Sequence, residues 1–212
     1  MLDTLQAHID STRGYEDEFV RLDAIRFDEE RDDALLDLAV RGQSVDEGVE
    51  WSRWEVRALG VRSYGVQRPW GSISIHDSAH ILARCVWEPR RQLYTSARVP
   101  DPDATIGRLA VAHAHLAGPW VRLGEYLRGP VGLNSLLMQR VAFLAEGPES
   151  FIQAYADVLR DEGAGANVLD GTPTIRWDGQ SHGVVEEKPN LFVLTLGDAF
   201  FVAGGFEERK RT

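Results

Sequence analysis

The feature that most constrains this chain is the segment LFVLTLGDAFFVAGGF at residues 191–206. Gly197-Asp198 sits between two β-rich runs, a two-residue hairpin signal, because glycine and aspartate tolerate the positive φ that tight hairpin turns demand. Phe192, Leu194 and Leu196 fall on one face of the first run, Leu191 and Val193 on the other. A strand that is apolar on both faces has none to offer to water. The segment therefore predicts two strands near the centre of a sheet, with helices on at least one side. It also ties the C-terminus to the same core as earlier strands.

Those earlier strands are predicted from residue 51 onward, where the period becomes alternating. Trp54, Val56 and Ala58 share one face, and Arg53, Glu55 and Arg57 the other. Further short runs follow at residues 61–67, 72–76, 80–87 and 92–99, separated by turn residues such as Arg68-Pro69-Trp70-Gly71 and Glu88-Pro89-Arg90-Arg91. In the run 80–87, Ile81, Ala83, Cys85 and Trp87 fall on one face. Five short runs of this kind predict an antiparallel meander. Its polar side chains Ser72, Ser74, Arg84 and Arg98 mark a candidate binding surface.

Between meander and hairpin the period is helical. Ile106, Leu109, Ala110, His113, Leu116 and Ala117 form a stripe that stops at Gly118. Pro119 suits the first turn of a second helix reaching residue 128. A third is predicted over 134–145 and a fourth over 148–160, the latter with Phe151, Ile152, Tyr155, Val158 and Leu159. Strand signals return at 174–178 and at Val184 and Val185.

Before the meander, Leu2, Leu5 and Ile9 predict a short amphipathic helix. Asp28 as N-cap, Glu29 and Glu30 in the first turn, apolar Ala34, Leu35, Leu38 and Ala39, and the stop Arg41-Gly42 predict a second. The expected fold is α+β: a mostly antiparallel sheet, made of a meander and a C-terminal hairpin, covered by about four helices and preceded by acidic N-terminal helices. Residues 1–48 are expected as an acidic helical segment packed on an α+β domain of residues 49–212. The polar connection 43–48 is the boundary, and residues 207–212 are a frayed charged tail.

The net charge of −10 has a location. Residues 1–50 hold fifteen acidic side chains and five arginines, and the remainder balances at eighteen of each sign. The candidate partner-binding residues are Glu16, Asp17, Glu18, Asp28, Glu29, Glu30, Asp32 and Asp33, an acidic face for a basic partner. The competing reading is a solvated face that keeps the chain soluble. Basic clusters are confined to Arg90-Arg91 and Arg209-Lys210-Arg211, so direct nucleic-acid binding is not expected. Trp51, Trp54, Trp70 and Trp87 lie in or beside the meander, where they serve either packing or an interface. One cysteine, Cys85, excludes an intrachain disulfide and suits the cytoplasm. No apolar run reaches the length of a membrane span, and the N-terminus lacks the basic start and apolar middle of a signal peptide.

Two chemical patterns remain. Gly179-Gln180-Ser181-His182-Gly183 has the spacing of a hydrolase nucleophile elbow, but no helix start follows and no later histidine exists, so it reads as a glycine-rich turn. His76, Asp77 and His80 are close enough to hold a divalent metal ion, with His113 as a further ligand, and metal-assisted hydrolysis would be the reaction. The same three residues also make an ordinary polar turn, and His113 lies on an apolar helical stripe where a hydrogen-bonded core histidine is at home. His113 and His115 diverge on a helix, so both cannot join one site. The sequence thus predicts a non-catalytic, cofactor-free cytoplasmic module that binds a protein partner through its acidic N-terminal face. The alternative is a metal-dependent hydrolase using His76, Asp77 and His80.

Overall fold

The computed structural model describes residues 2–11, 20–43, 49–128, 132–173, 175–177, 182–184 and 190–211. Helix α1 (Asp3–Ser11) is followed by strands β1 (Val20–Asp28), β2 (Asp33–Gln43) and β3 (Val49–Leu59), the short strands β4 (Ser63–Gly65) and β5 (Trp70–Gly71), β6 (Ile73–His76) and helix α2 (Ile81–Trp87). Then come β7 (Arg90–Thr95), α3 (Pro102–Ala117), a 3-10 turn at Leu123–Glu125, α4 (Leu133–Leu137), β8 (Ala142–Pro148), α5 (Glu149–Asp161) and β9 (Ala166–Asp170). The chain ends with β10 (Ile175–Trp177), β11 (His182–Val184), β12 (Phe192–Leu196), β13 (Ala199–Ala203) and β14 (Gly205–Arg211). The fold is α+β with antiparallel sheets. No helix among the described residues is long and apolar enough to cross a membrane.

Two compact units divide the chain: residues 1–86 with 189–212, and residues 87–188. In the first unit, β12 and β13 occupy the centre of a four-stranded sheet of order β4-β13-β12-β6, and nearly all their residues are buried. The apolar hairpin thus has the expected central place, flanked by β4 and β6; the predicted meander itself does not form, because β3, β4, β6 and β7 each pair with other strands and not with one another. Its turn depends on Gly197, whose φ is +55° and whose missing Cβ would run into the carbonyl oxygen of Trp70.

The second sheet of this unit has the order β14-β3-β2-β1-β5. Along β2 the alternation puts Ala34, Leu36, Leu38 and Val40 inward, opposite Trp54, Val56 and Ala58 of β3. This inner row shares one core with Leu2, with Leu5 and Ile9 of α1, and with Leu194, Leu196 and Phe201 of the four-stranded sheet. The N-terminus of α1 is capped from the far end of the chain: both carboxylate oxygens of Glu208 accept backbone N–H groups, from Thr4 at 2.6 Å and Leu5 at 2.7 Å.

Several expectations are corrected here. Residues 20–43 are two strands, so the acidic N-terminal segment holds one described helix, α1, and not a second helix starting at Asp28. The sequence 34–40 carries apolar residues at both helical and alternating spacing, and pairing on both sides of β2 selects the alternation. The expected boundary at 43–48 joins two paired strands, because Gln43 of β2 faces Val49 of β3. Residues 81–87 form a helix and not a strand. The tail is not frayed: residues 205–211 pair in register with β3.

In the second unit, β7 is the centre of a sheet of order β8-β7-β9, antiparallel to both neighbours. Helix α3 starts with Pro102 in its first turn and the Asp101 side chain accepting from Ala104 N–H at 3.0 Å, and stops at Gly118 as expected. Thr105, Leu109, His113 and Ala117 recur every fourth residue on its buried face. Helix α5 buries Phe151, Ile152, Tyr155, Ala156 and Leu159 and packs against α3 and the sheet. The helices predicted over 119–128 and 134–145 shrink to a 3-10 turn and to α4, and residues 142–148 become β8.

Candidate functional site

Strand β6 ends on His76, and the turn of residues 77–80 delivers His80 to the start of α2. Asp77 Oδ1 accepts the N–H of Ala79 at 2.8 Å, shaping the turn. The two imidazoles stack, with ring centroids 4.4 Å apart. His76 Nε2 lies 3.2 Å from the Thr195 hydroxyl of β12. His80 Nδ1 accepts the N–H of Leu82 at 3.3 Å, so the ring acts as the cap of α2. Burial above all, and then the neighbouring His76, lower the His80 pKa to about 4, against the opposing pull of Asp77. A neutral ring whose Nδ1 accepts a hydrogen bond carries its proton on Nε2, and that leaves no lone pair free for a metal ion.

His113 belongs to the second unit. Its Nε2 donates to the Val121 carbonyl at 2.7 Å and its Nδ1 lies 2.6 Å from the Tyr155 hydroxyl. Both nitrogens are engaged, and the residue is a buried, hydrogen-bonded core histidine on the α3 stripe. Among the described residues, no group of three or more His, Cys, Asp or Glu side chains is arranged to hold a metal ion. Ser181 and the preceding Gly179 and Gln180 of the G-x-S-x-G stretch lie outside the described residues, and His182 and Gly183 belong to β11.

The acidic residues separate into different roles. Glu16, Asp17 and Glu18 lie outside the described residues. Asp28 ends β1 and Asp33 begins β2, and these two face each other across the hairpin whose loop is residues 29–32. Asp32 takes a positive φ of 54°, a conformation aspartate tolerates. Asp33 is only 8% exposed and is consumed structurally by Arg57 and the Gly60 N–H. Asp28, Glu29, Glu30 and Asp32 are exposed at the hairpin tip.

No known protein family, curated protein or solved structure matches this chain. What the chain can do must therefore be read from its surface chemistry. Beside the hairpin tip, Phe27 of β1 and Tyr64 of β4 stand with ring centroids 4.9 Å apart, and they are 46% and 53% exposed. They flank a depression of about 570 Å³ whose wall includes Asp28, Glu29, Asp32, Val61 and Arg62. Arg62 is held toward Asp32 at 3.8 Å and Arg31 toward Asp28 at 3.9 Å. Glu29 makes no ion pair among the described residues. Two exposed aromatic rings beside carboxylates favour a cationic side chain, which draws on the ring faces and on the opposite charge together. Strand β4 is also an edge of its sheet, with β13 on one side only.

Elsewhere on the five-stranded sheet's outer face several charges are matched internally. Arg26 reaches Asp37 at 3.1 Å, Arg211 reaches Asp37 at 2.8 Å and also pairs with Glu55, and Arg53 pairs with Asp23. The hydrogen bond from Arg211, followed by the charges around it, holds the Glu55 carboxyl below its ordinary pKa despite some burial. Asp23, Asp33 and Asp37 of the first fifty residues are thus paired with arginines of β1, β3 and β14. Phe27 and Tyr64 were not singled out by sequence: each is an isolated aromatic, and only the approach of β4 to the β1–β2 hairpin makes them a pair.

Proposed function

We propose that this chain is a non-catalytic module that binds a basic, extended segment of a protein partner at the β1–β2 hairpin tip. The observation that carries this reading is the exposed Phe27–Tyr64 pair beside Asp28, Glu29 and Asp32. Exposed aromatic rings at the mouth of a depression are where interface energy concentrates. The carboxylates select against acidic partners. The open side of β4 offers backbone groups to an extended peptide, whose alternate side chains would enter the depression.

The test is titration calorimetry with synthetic heptapeptides of alternating lysine and leucine, and with matched peptides carrying glutamate for lysine. Binding of the basic peptide alone is expected, with tenfold or greater weakening by Tyr64→Ala and by Glu29→Lys. Equal binding of both peptides, or basic-peptide binding that neither substitution affects, overturns the proposal. So does a failure of the basic peptide to bind.

A further inference from the structure

Strand β14 is the other edge of the five-stranded sheet. It pairs with β3 on one side, and no described residue bonds to its backbone on the other. A seven-residue edge presents a row of N–H and C=O groups that another strand can join. Charged side chains usually protect such an edge. Here, however, their order makes the edge complementary to itself.

The strand reads Gly205-Phe206-Glu207-Glu208-Arg209-Lys210-Arg211, acidic in its first half and basic in its second. Antiparallel pairing with a second copy reverses the order, so acid meets base. A two-fold axis perpendicular to the sheet keeps each side chain on its own face, and directly opposite residues then share a face. Centred on Arg209, this pairing sets Glu207 opposite Arg211 and Glu208 opposite Lys210, each twice by symmetry, and sets Arg209 beside its own copy at the axis. The register centred on Glu208 retains only Glu207 against Arg209 and brings two Glu208 carboxylates together. Glu207, Arg209, Lys210 and Arg211 are all exposed. Glu207 and Arg209 make no ion pair among the described residues; Arg211 would share its guanidinium with Asp37 and Glu55, and Glu208 its carboxylate with the N-terminus of α1.

We infer that β14 pairs antiparallel with β14 of a second copy of this chain, centred on Arg209, to join the two five-stranded sheets into one continuous sheet. The reading does not rest on the peptide site at the β1–β2 hairpin.

The test uses the full chain in two ways. In a Cys85→Ser background, Arg209→Cys places one thiol beside its symmetry mate, whereas Glu207→Cys places it opposite Arg211. Under mild oxidation, Arg209→Cys is expected to give a disulfide-linked dimer on non-reducing gels and Glu207→Cys a monomer. Separately, sedimentation velocity of the unmodified chain at low salt should show a reversible dimer at roughly 100 µM protein. Glu207→Arg should weaken it tenfold or more, as should high salt. A monomer at that concentration overturns the inference. So does a dimer that Glu207→Arg leaves unchanged, or cross-linking at position 207 as efficient as at 209. Circular dichroism of each variant confirms that an altered result reflects pairing and not unfolding.

Discussion

Asp33 and Arg57 lock the start of β2 to the end of β3: Asp33 Oδ2 accepts from Arg57 Nε at 3.0 Å and from Nη2 at 2.6 Å, and Oδ1 accepts the Gly60 N–H at 2.8 Å. The carboxylate is buried and its hydrogen-bonding capacity is largely used, which distinguishes it from the exposed acids of the same hairpin. Asp33→Ala removes the partner of a half-buried guanidinium and of a backbone donor together. The expected cost is about 3 kcal/mol of stability, read by urea denaturation. Glu30→Ala, at the exposed tip, should change stability by less than about 0.5 kcal/mol.

Glu208 caps α1 from a strand at the opposite end of the chain. Glu208→Ala should cost about 1 kcal/mol, because it removes acceptors for two orphan N–H groups and a negative charge at the helix N-terminus. Hydrogen exchange is the decisive readout. Protection should fall at Thr4 and Leu5 in α1 while the amides of β12 and β13 keep theirs.

His80 makes stability depend on pH. Its folded pKa is lowered from 6.5 to about 4, chiefly by burial. Above pH 6.5 the ring is neutral in both states and its contribution is complete. As pH falls from 6.5 toward 4, the unfolded chain takes up a proton that the folded chain refuses, and stability is lost. Below about 4 no further loss is expected from this group. Partial exposure of the ring limits the effect to about 1 kcal/mol. His8, lowered by burial and then by Lys210, acts in the same direction. His80→Asn keeps a capping side chain but cannot titrate, so the drop in Tm between pH 7 and pH 5 should be smaller than in the unmodified chain.

Gly197 holds the central hairpin. With φ at +55° and the Trp70 carbonyl where a Cβ would go, Gly197→Ala meets both backbone strain and a clash with rigid main chain. A loss of about 2–3 kcal/mol is expected, measured by denaturation. Gly163→Ala, also at positive φ but with open space around it, should cost about 1 kcal/mol.

Where local pattern and tertiary demand agree, the sequence alone determined the outcome. The doubly apolar runs around Gly197-Asp198 had nowhere to go except the middle of a sheet, and β12 and β13 are there. The inward row Trp54, Val56 and Ala58 was legible for the same reason, and so were α1, α3 with its glycine stop, and α5. His113 was legible as a core residue from its place on the apolar helical stripe, while the Tyr155 hydroxyl that meets its Nδ1 comes from α5, 42 residues on. Only the tertiary structure decided the rest. Residues 34–40 fit helix and strand equally well, and hydrogen bonding from β1 and β3 on either side, energy unavailable to an isolated segment, settled the choice. Residues 81–87 alternate like a strand but became a helix, capped by an imidazole that a turn positioned. The charged tail became a strand because β3 offered an edge, and Glu208 there capped a helix that sequence distance concealed. Phe27 and Tyr64 became neighbours by the same principle: contacts between distant segments arise from chain topology, which no local periodicity encodes.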